Sequence, residues 1–183
     1  MGLFYTGLGD KGKSVIGKKK ISKTHPVMEA LGDLDELNSL VGLIRNKFRA
    51  GLVKKLLREI QENLFIIQAK IAALEFGGKH SPPELKKQKI IGMEKTIDTL
   101  EQKIKPERGF IIAGETENSA WLDYARTVSR RAERSALEYQ ERGRKTLDVN
   151  IIAYLNRLSS LLFALARLEA KTSRTKEKHP KYK

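Results

Sequence analysis

The stretch GLGDKGKSVIGKKK, Gly7 to Lys20, decides between two folds. Its first eight residues fit G-x-x-x-x-G-K-[ST], the pattern of a phosphate-cradling loop set between a buried strand and a helix. Read that way, the chain would be a doubly wound α/β protein. The surroundings argue against it. Only MGLFYT precedes Gly7, enough for one short strand, and a parallel sheet needs further apolar strands alternating with helices. The residues after Ser14, VIGKKKISK, mix β-branched side chains, a glycine and lysines, which predicts a strand or loop and not the start of a helix. The phosphate chemistry survives the loss of the fold. Glycines expose backbone N–H groups, and Lys11, Lys13, Lys18, Lys19, Lys20 and Lys23 supply positive charge, both suited to a polyphosphate. On composition alone, a flexible basic N-terminal arm is the plainer reading of residues 1–25.

Working outward, the pattern turns helical. Pro26 suits a first helical turn. Val27, Leu31, Leu34, Leu37, Val41 and Ile44 then recur at spacings of three and four, an apolar stripe. After a break at Ala50-Gly51, Leu52, Leu56, Ile60, Leu64, Ile67 and Ile71 repeat it. FGGKHSPP reads as a loop. A more polar third helix is expected from Glu84 to about Ile104, and KPERGFIIAGETE as a non-helical connection. A fourth helix begins near SAWLDYA and closes at Gly143, and a fifth, capped by Asp148 or Asn150, runs through NIIAYLNRLSSLLFALARLEAK. Five long helices with short connections predict an all-α fold, an antiparallel five-helix bundle with a basic arm. The expected organisation is an arm over 1–25, a bundle over 26–171 and a basic tail over 172–183. The tail KTSRTKEKHPKYK is almost devoid of apolar residues and is expected to be disordered.

Composition narrows the function. The chain has 183 residues, no cysteine and a formal net charge of +14. Disulfides, Cys-based metal sites and Cys nucleophiles are therefore excluded within it. This fits a reducing cytoplasm. The three histidines, His25, His80 and His179, make no metal-ligand pattern, and no uninterrupted apolar run approaches a membrane span. The charge points to an anionic partner: nucleic acid, a membrane surface or a phosphorylated small molecule. The blander alternative is a Lys/Arg/Glu-rich surface.

Some polar residues are not explained by a core. In the fourth helix, Arg126, Arg130 and Arg134 are four apart and share a face, with Arg131 offset beside the apolar stripe. Stacked arginines repel unless carboxylates or an anion answer them, and Glu133 answers only part of that charge. In the first helix Asp33, Asp35, Glu36 and Asn38 lie among leucines, with Asp35 and Asn38 near one face. Gly32, costly in mid-helix, suggests close packing or a nearby ligand. In the fifth helix Asn156 and Arg157 interrupt an apolar segment and must find partners. These residues and the arm together predict a phosphate-binding site built from several helix faces.

The segments YTGLGDKGKS, ISKTHPVMEALGDLDELNSLVG, ARTVSRRAER and YLNRLSSLLFALAR, in that order, resemble the PduO-type ATP:cob(I)alamin adenosyltransferases, over Tyr5 to about Arg167. The resemblance implies a trimeric helical bundle with active sites between subunits. It implies transfer of the 5′-deoxyadenosyl group of ATP to reduced cobalamin, with Mg²⁺ assisting and triphosphate released. Carried over by motif, Thr6, Gly9, Asp10, Gly12, Lys13 and Ser14 fall on the ATP-binding arm, and Lys23 matches the lysine that reaches the phosphates. Arg130 and Glu133 match the first Arg and the Glu of RRAER, and Asn156 the Asn of NRLS. Asp35 and Arg126 match a pair thought to bridge two subunits. Phe110 matches the loop Phe that presses on the lower face of the corrin and excludes the lower ligand. The sequence departs from the family pattern at Leu8 in the arm, in the GFIIAGE loop, and at Ser160. A reductase is the further implied partner. Two other readings stand beside this one: a sensor that binds ATP or adenosylcobalamin without turnover, and a basic bundle that binds nucleic acid. The latter lacks an aromatic platform and any recognised nucleic-acid motif.

Overall fold

The structure is a computed structural model describing residues 5, 7–16, 19–77 and 81–182. Thr6 and Lys18 of the arm and His80 lie outside the described residues. Five helices follow a small hairpin: β1 Lys13–Ile16, β2 Lys19–Ser22, α1 Pro26–Lys47, α2 Leu52–Phe76, α3 Lys87–Ile104, α4 Glu117–Arg142 and α5 Val149–Thr172. The phosphate-loop alternative fails at Lys13-Ser14, where β1 starts in place of a helix. β1 pairs antiparallel with β2, Lys13 opposite Ser22 and Ile16 opposite Lys19.

Helix ends follow local chemistry. The ring Nδ1 of His25 accepts the Val27 amide at 3.2 Å and caps α1 just before Pro26. Thr116 and Ser119 form a reciprocal capping box that starts α4 two residues before the expected Ser119. Of the two expected caps of α5, Asp148 serves, accepting the Asn150 amide at 2.9 Å. The third helix starts at Lys87, three residues later than expected from Glu84.

The apolar stripes become the core. Val27, Leu34, Leu37, Val41 and Ile44 of α1 are fully buried, as are Leu64, Ile67 and Ile71 of α2. The expected α2 stripe fails at its start: Leu52 is exposed and Leu57 takes the inward position. α1 packs between α2 and α4, and α5 between α4 and α3. α5 is long and apolar enough to cross a membrane, but more than half of it is buried inside the bundle. A buried hydrogen bond from Asn63 to the Tyr154 hydroxyl, 3.1 Å, links α2 to α5, and burial raises the Tyr154 pKa, so it stays a phenol.

Two expectations are corrected. Gly32 has open space around it, so neither close packing nor a contact within this chain explains it. Asp35 and Asn38 do not share an environment: Asp35 is exposed and Asn38 is buried, its backbone carbonyl accepting from Gln61 at 3.0 Å. The tail also departs from expectation. Far from being without contacts, it lies along the connection between α3 and α4, where the Ile112 amide donates to the Lys178 carbonyl at 2.8 Å.

Candidate functional site

The arm forms a tight backbone turn. Gly12 has φ +72°, a left-handed conformation that glycine adopts without steric cost. Its carbonyl accepts the Lys23 amide at 3.0 Å and its own amide donates to Gly9 at 3.2 Å. Lys23 folds across the turn. A Cβ at Gly9 would sit 3.1 Å from the Lys23 Nζ, so any side chain there would push the ammonium aside. Asp10, Lys13 and Ser14 flank this turn, and Lys13 and Ser14 continue into β1. Lys19 ties the hairpin to the C-terminal end of α2, donating to the Glu75 carbonyl and lying 3.4 Å from its carboxylate. The Tyr139 hydroxyl donates to the other Glu75 oxygen at 3.2 Å. Burial, then the Glu75 charge, raises the Tyr139 pKa.

The arginine face of α4 opens on a second place. Arg126 and Arg130 line a cavity of about 490 Å³ between α3, α4 and α5, with Ser159, Ser160, Phe163 and Arg167 opposite. The Arg126 guanidinium lies 5.9 Å and that of Arg167 4.8 Å from the Phe163 ring centroid. Arg126 sits 3.5 Å from Asp123 without a hydrogen bond, its buried Nε unsatisfied. Arg130 is exposed and has no hydrogen bond or ion pair among the described residues. Its neighbour Arg131 turns the other way. It donates to the buried Asp33 at 3.0 Å and to Glu36, and Asp33 also accepts from Ser135. These bonds, to Glu36 first and then Asp33, raise the Arg131 pKa further.

Glu133 and Asn156 meet directly. The Asn156 amide donates to Glu133 at 2.9 Å, while Arg157 holds the Asn156 oxygen at 2.6 Å and reaches Glu94 of α3 at 2.9 Å. This relay fixes which way the Asn156 amide points. Phe110 stands 78% exposed on the α3–α4 connection. Asp35 is exposed on α1 and has no hydrogen bond or ion pair among the described residues.

Within one chain the structure brings Arg126 to Arg130 and Glu133 to Asn156. It does not pair Asp35 with Arg126. No hydrogen bond or ion pair joins Gly9, Asp10, Gly12, Lys13, Ser14 or Lys23 to Arg130, Glu133 or Asn156 among the described residues. Among the described residues no group of three or more His, Asp or Glu could hold a metal ion. Sequence reasoning missed Phe163 and Arg167 as cavity walls. Their spacing from Ser159, in steps of four along α5, was the available signal.

Comparison with known proteins places the chain in a family. Residues 4–169 match the family model for cobalamin adenosyltransferase. The chain is 36% identical over 168 residues to the corrinoid adenosyltransferase PduO of Citrobacter freundii, covering 90% of this chain and 49% of that protein. It therefore spans about half the length of that relative. It is 34% identical to the corrinoid adenosyltransferase MMAB of Bos taurus over 184 residues, 95% of this chain and 74% of that one. A phenylalanine-to-histidine variant of the PduO-type ATP:corrinoid adenosyltransferase from Lactobacillus reuteri, complexed with cobalamin and ATP, superposes with a TM-score of 0.88. It shares 30% identity, with 98% of this chain and 97% of that chain covered. With a matching family model over most of its length and these relatives beside it, the chain belongs to the cobalamin adenosyltransferase family.

Proposed function

We propose that the chain transfers the 5′-deoxyadenosyl group of ATP to the cobalt of reduced cobalamin. The observation that carries this reading is Arg130: an exposed guanidinium with no partner among the described residues, at the edge of a cavity, on a chain of this family. In the reaction the cobalt(I) electron pair attacks the ribose C5′. A Co–C bond forms, the C5′–O bond breaks, and triphosphate leaves with the bonding electrons. Cobalt is the nucleophile, so the protein's task is alignment and stabilisation of charge on the leaving group.

The chain's residues suit that task. Lys23 over Gly9, with Lys13, Ser14 and Asp10 around the same turn, would hold the nucleotide, together with Thr6. Arg130 would meet the charge that develops on the triphosphate. Glu133 and Asn156, oriented through Arg157, would line the nucleotide side. Phe110 would press on the lower face of the corrin, excluding a lower ligand and leaving four-coordinate cobalt. Magnesium would arrive with the triphosphate, since this ion is usually bound largely through phosphate oxygens and water.

Among the described residues no hydrogen bond or ion pair joins the arm to Arg130, Glu133 or Asn156, which favours a site completed between subunits of a homotrimer. Asp35, exposed and without a partner among the described residues, would there meet Arg126 of a neighbouring copy. Arg126 is available for this because its tie to Asp123 is long, at 3.5 Å. A cytoplasmic location and a reductase that supplies cobalt(I) complete the proposal.

The test is anaerobic. Protein, MgATP and chemically reduced cob(I)alamin are mixed, and the visible spectrum is followed for a light-sensitive product, with triphosphate assayed. Adenosylcobalamin formed only with both ATP and protein is the expected result. ATP binding without product would favour the sensor, and no ATP binding would overturn the reading.

A further inference from the structure

We infer that the C-terminal stretch Glu177–His179 is a clasp that positions Phe110, with His179 as its central positioning residue. The inference rests on the corrin-facing role proposed for Phe110. Nothing in the sequence motifs points to these residues.

Phe110 has an aiming problem. It lies between α3 and α4 in a connection without helix or strand, and its own side chain is exposed. Gly109 and Gly114 on either side have φ of +126° and +102°, conformations that only glycine adopts readily. Such a segment does not by itself hold an aromatic ring in one direction.

The tail supplies the missing constraints. His179 Nδ1 lies 2.8 Å from the Phe110 carbonyl oxygen, and His179 Nε2 lies 3.2 Å from the Glu107 carboxylate. A carbonyl only accepts, so Nδ1 is the donor. One residue back, the Lys178 carbonyl accepts the Ile112 amide at 2.8 Å, and its ammonium lies 3.7 Å from Glu115. The backbone is thus held at the Phe110 carbonyl itself and again two residues later, at the Ile112 amide.

Glu177 anchors the clasp to the bundle. Its carboxylate lies 2.8 Å from the Nε of Arg167, whose side chain is 4% exposed. This is an ion pair without hydrogen-bond geometry. Arg167 in turn pairs with the buried Asp123 and stacks on Phe163 in the cavity wall. Three consecutive residues therefore tie the Phe110 segment to the wall of the cavity that Arg126 and Arg130 share.

The test uses the full-length protein with His179→Ala and His179→Asn. The Asn amide nitrogen falls where Nδ1 of histidine does, so it keeps the donor to the Phe110 carbonyl and loses only the Glu107 contact. The expected result for His179→Ala is a kcat lowered roughly 3- to 10-fold, inside the scale on which misplaced groups act and no more than loss of the Phe110 ring itself, with the KM for ATP unchanged. The four-coordinate cob(II)alamin signature should shrink in the same variant. His179→Asn should recover most of both. Limited trypsin digestion at Arg108 gives a readout free of activity, and cleavage there should speed up in His179→Ala but not in His179→Asn.

Wild-type kcat and wild-type cleavage in His179→Ala would overturn the clasp. A loss of kcat in His179→Ala that His179→Asn fails to recover would overturn the role of the Phe110 carbonyl bond. If the wild type itself forms no adenosylcobalamin, the proposed reaction falls, and cleavage at Arg108 still decides whether the clasp holds the loop.

Discussion

Arg130 and Arg131 are neighbours on α4 and live in opposite surroundings. Arg131 faces α1, where Asp33 and Glu36 hold it. Arg130 faces the cavity side and has no partner among the described residues. A guanidinium already matched to carboxylates serves the packing of two helices. One left unmatched, beside a second arginine, keeps its donors for an anion that arrives from outside. A single residue step, a rotation of about 100°, thus separates a residue spent on packing from one whose donors are left open.

The sharpest way to break this contrast is Arg130→Ala. Loss of a donor aimed at developing charge should lower turnover about 1000-fold, with the urea midpoint unchanged. A large loss of stability in this variant would erase the distinction. Arg167→Met probes the buried counterpart at the cavity wall. It leaves Asp123, 5% exposed on its side chain, with only the long contact to Arg126, and should cost about 3 kcal/mol in chemical denaturation. Arg131→Met should cost less, about 2 kcal/mol, because the arginine it removes is half in solvent and Asp33 keeps Ser135. Turnover per folded molecule should change little, and loss of turnover at wild-type stability would invert the contrast.

Phe110→Ala should slow turnover about tenfold while ATP binding, read by calorimetry, stays within twofold, since the ring touches corrin and not nucleotide in the proposed reaction. The smallest effect concerns Glu177. Burial pushes its carboxyl above the usual range against the pull of Arg167. The folded state therefore holds that proton more tightly than the unfolded chain does, and the resulting stability is present at low pH and lost as pH rises through the raised value. Glu177→Gln should abolish this slope, a difference below about 1 kcal/mol for a group that keeps part of its hydration, seen by comparing melting curves of the two proteins across the acid range.

The bundle was legible because helical periodicity is a local property. The α1 stripe from Val27 to Ile44 appears in the core almost as spaced in the sequence, with Leu31 part-buried, and the slip from Leu52 to Leu57 lies at a helix start, where boundaries are least defined. The expectation of a strand or loop after Ser14 followed from β-branched residues in the same way, and the structure has strands there. The candidate site residues came from motif, and their geometry is not written in the pattern. Nothing in a linear pattern tells Arg130 from Arg131 until α1 supplies Asp33, nearly a hundred residues away. The tail was misread for a related reason. Composition measures whether a segment can bury apolar area, and this one is held by backbone hydrogen bonds and ion pairs to a loop that composition does not see.

The packing order also constrains how the chain acquires its fold. α5 fills the space between α3 and α4, and α1 meets α4 across a long stretch of sequence. During synthesis, α1 to α4 emerge before the helix that completes their core. Their inward leucines and isoleucines then have no final partner, and Asp33 waits for Arg131 across 98 residues. The short link from Gly143 to Asp148 offers the quickest route out, since α4 and α5 can close on each other with little loop entropy before the distant α1 is recruited. The helix pair that walls the cavity is therefore also the natural nucleus of folding, and slow release of α5 would leave the nascent bundle sticky and dependent on chaperones.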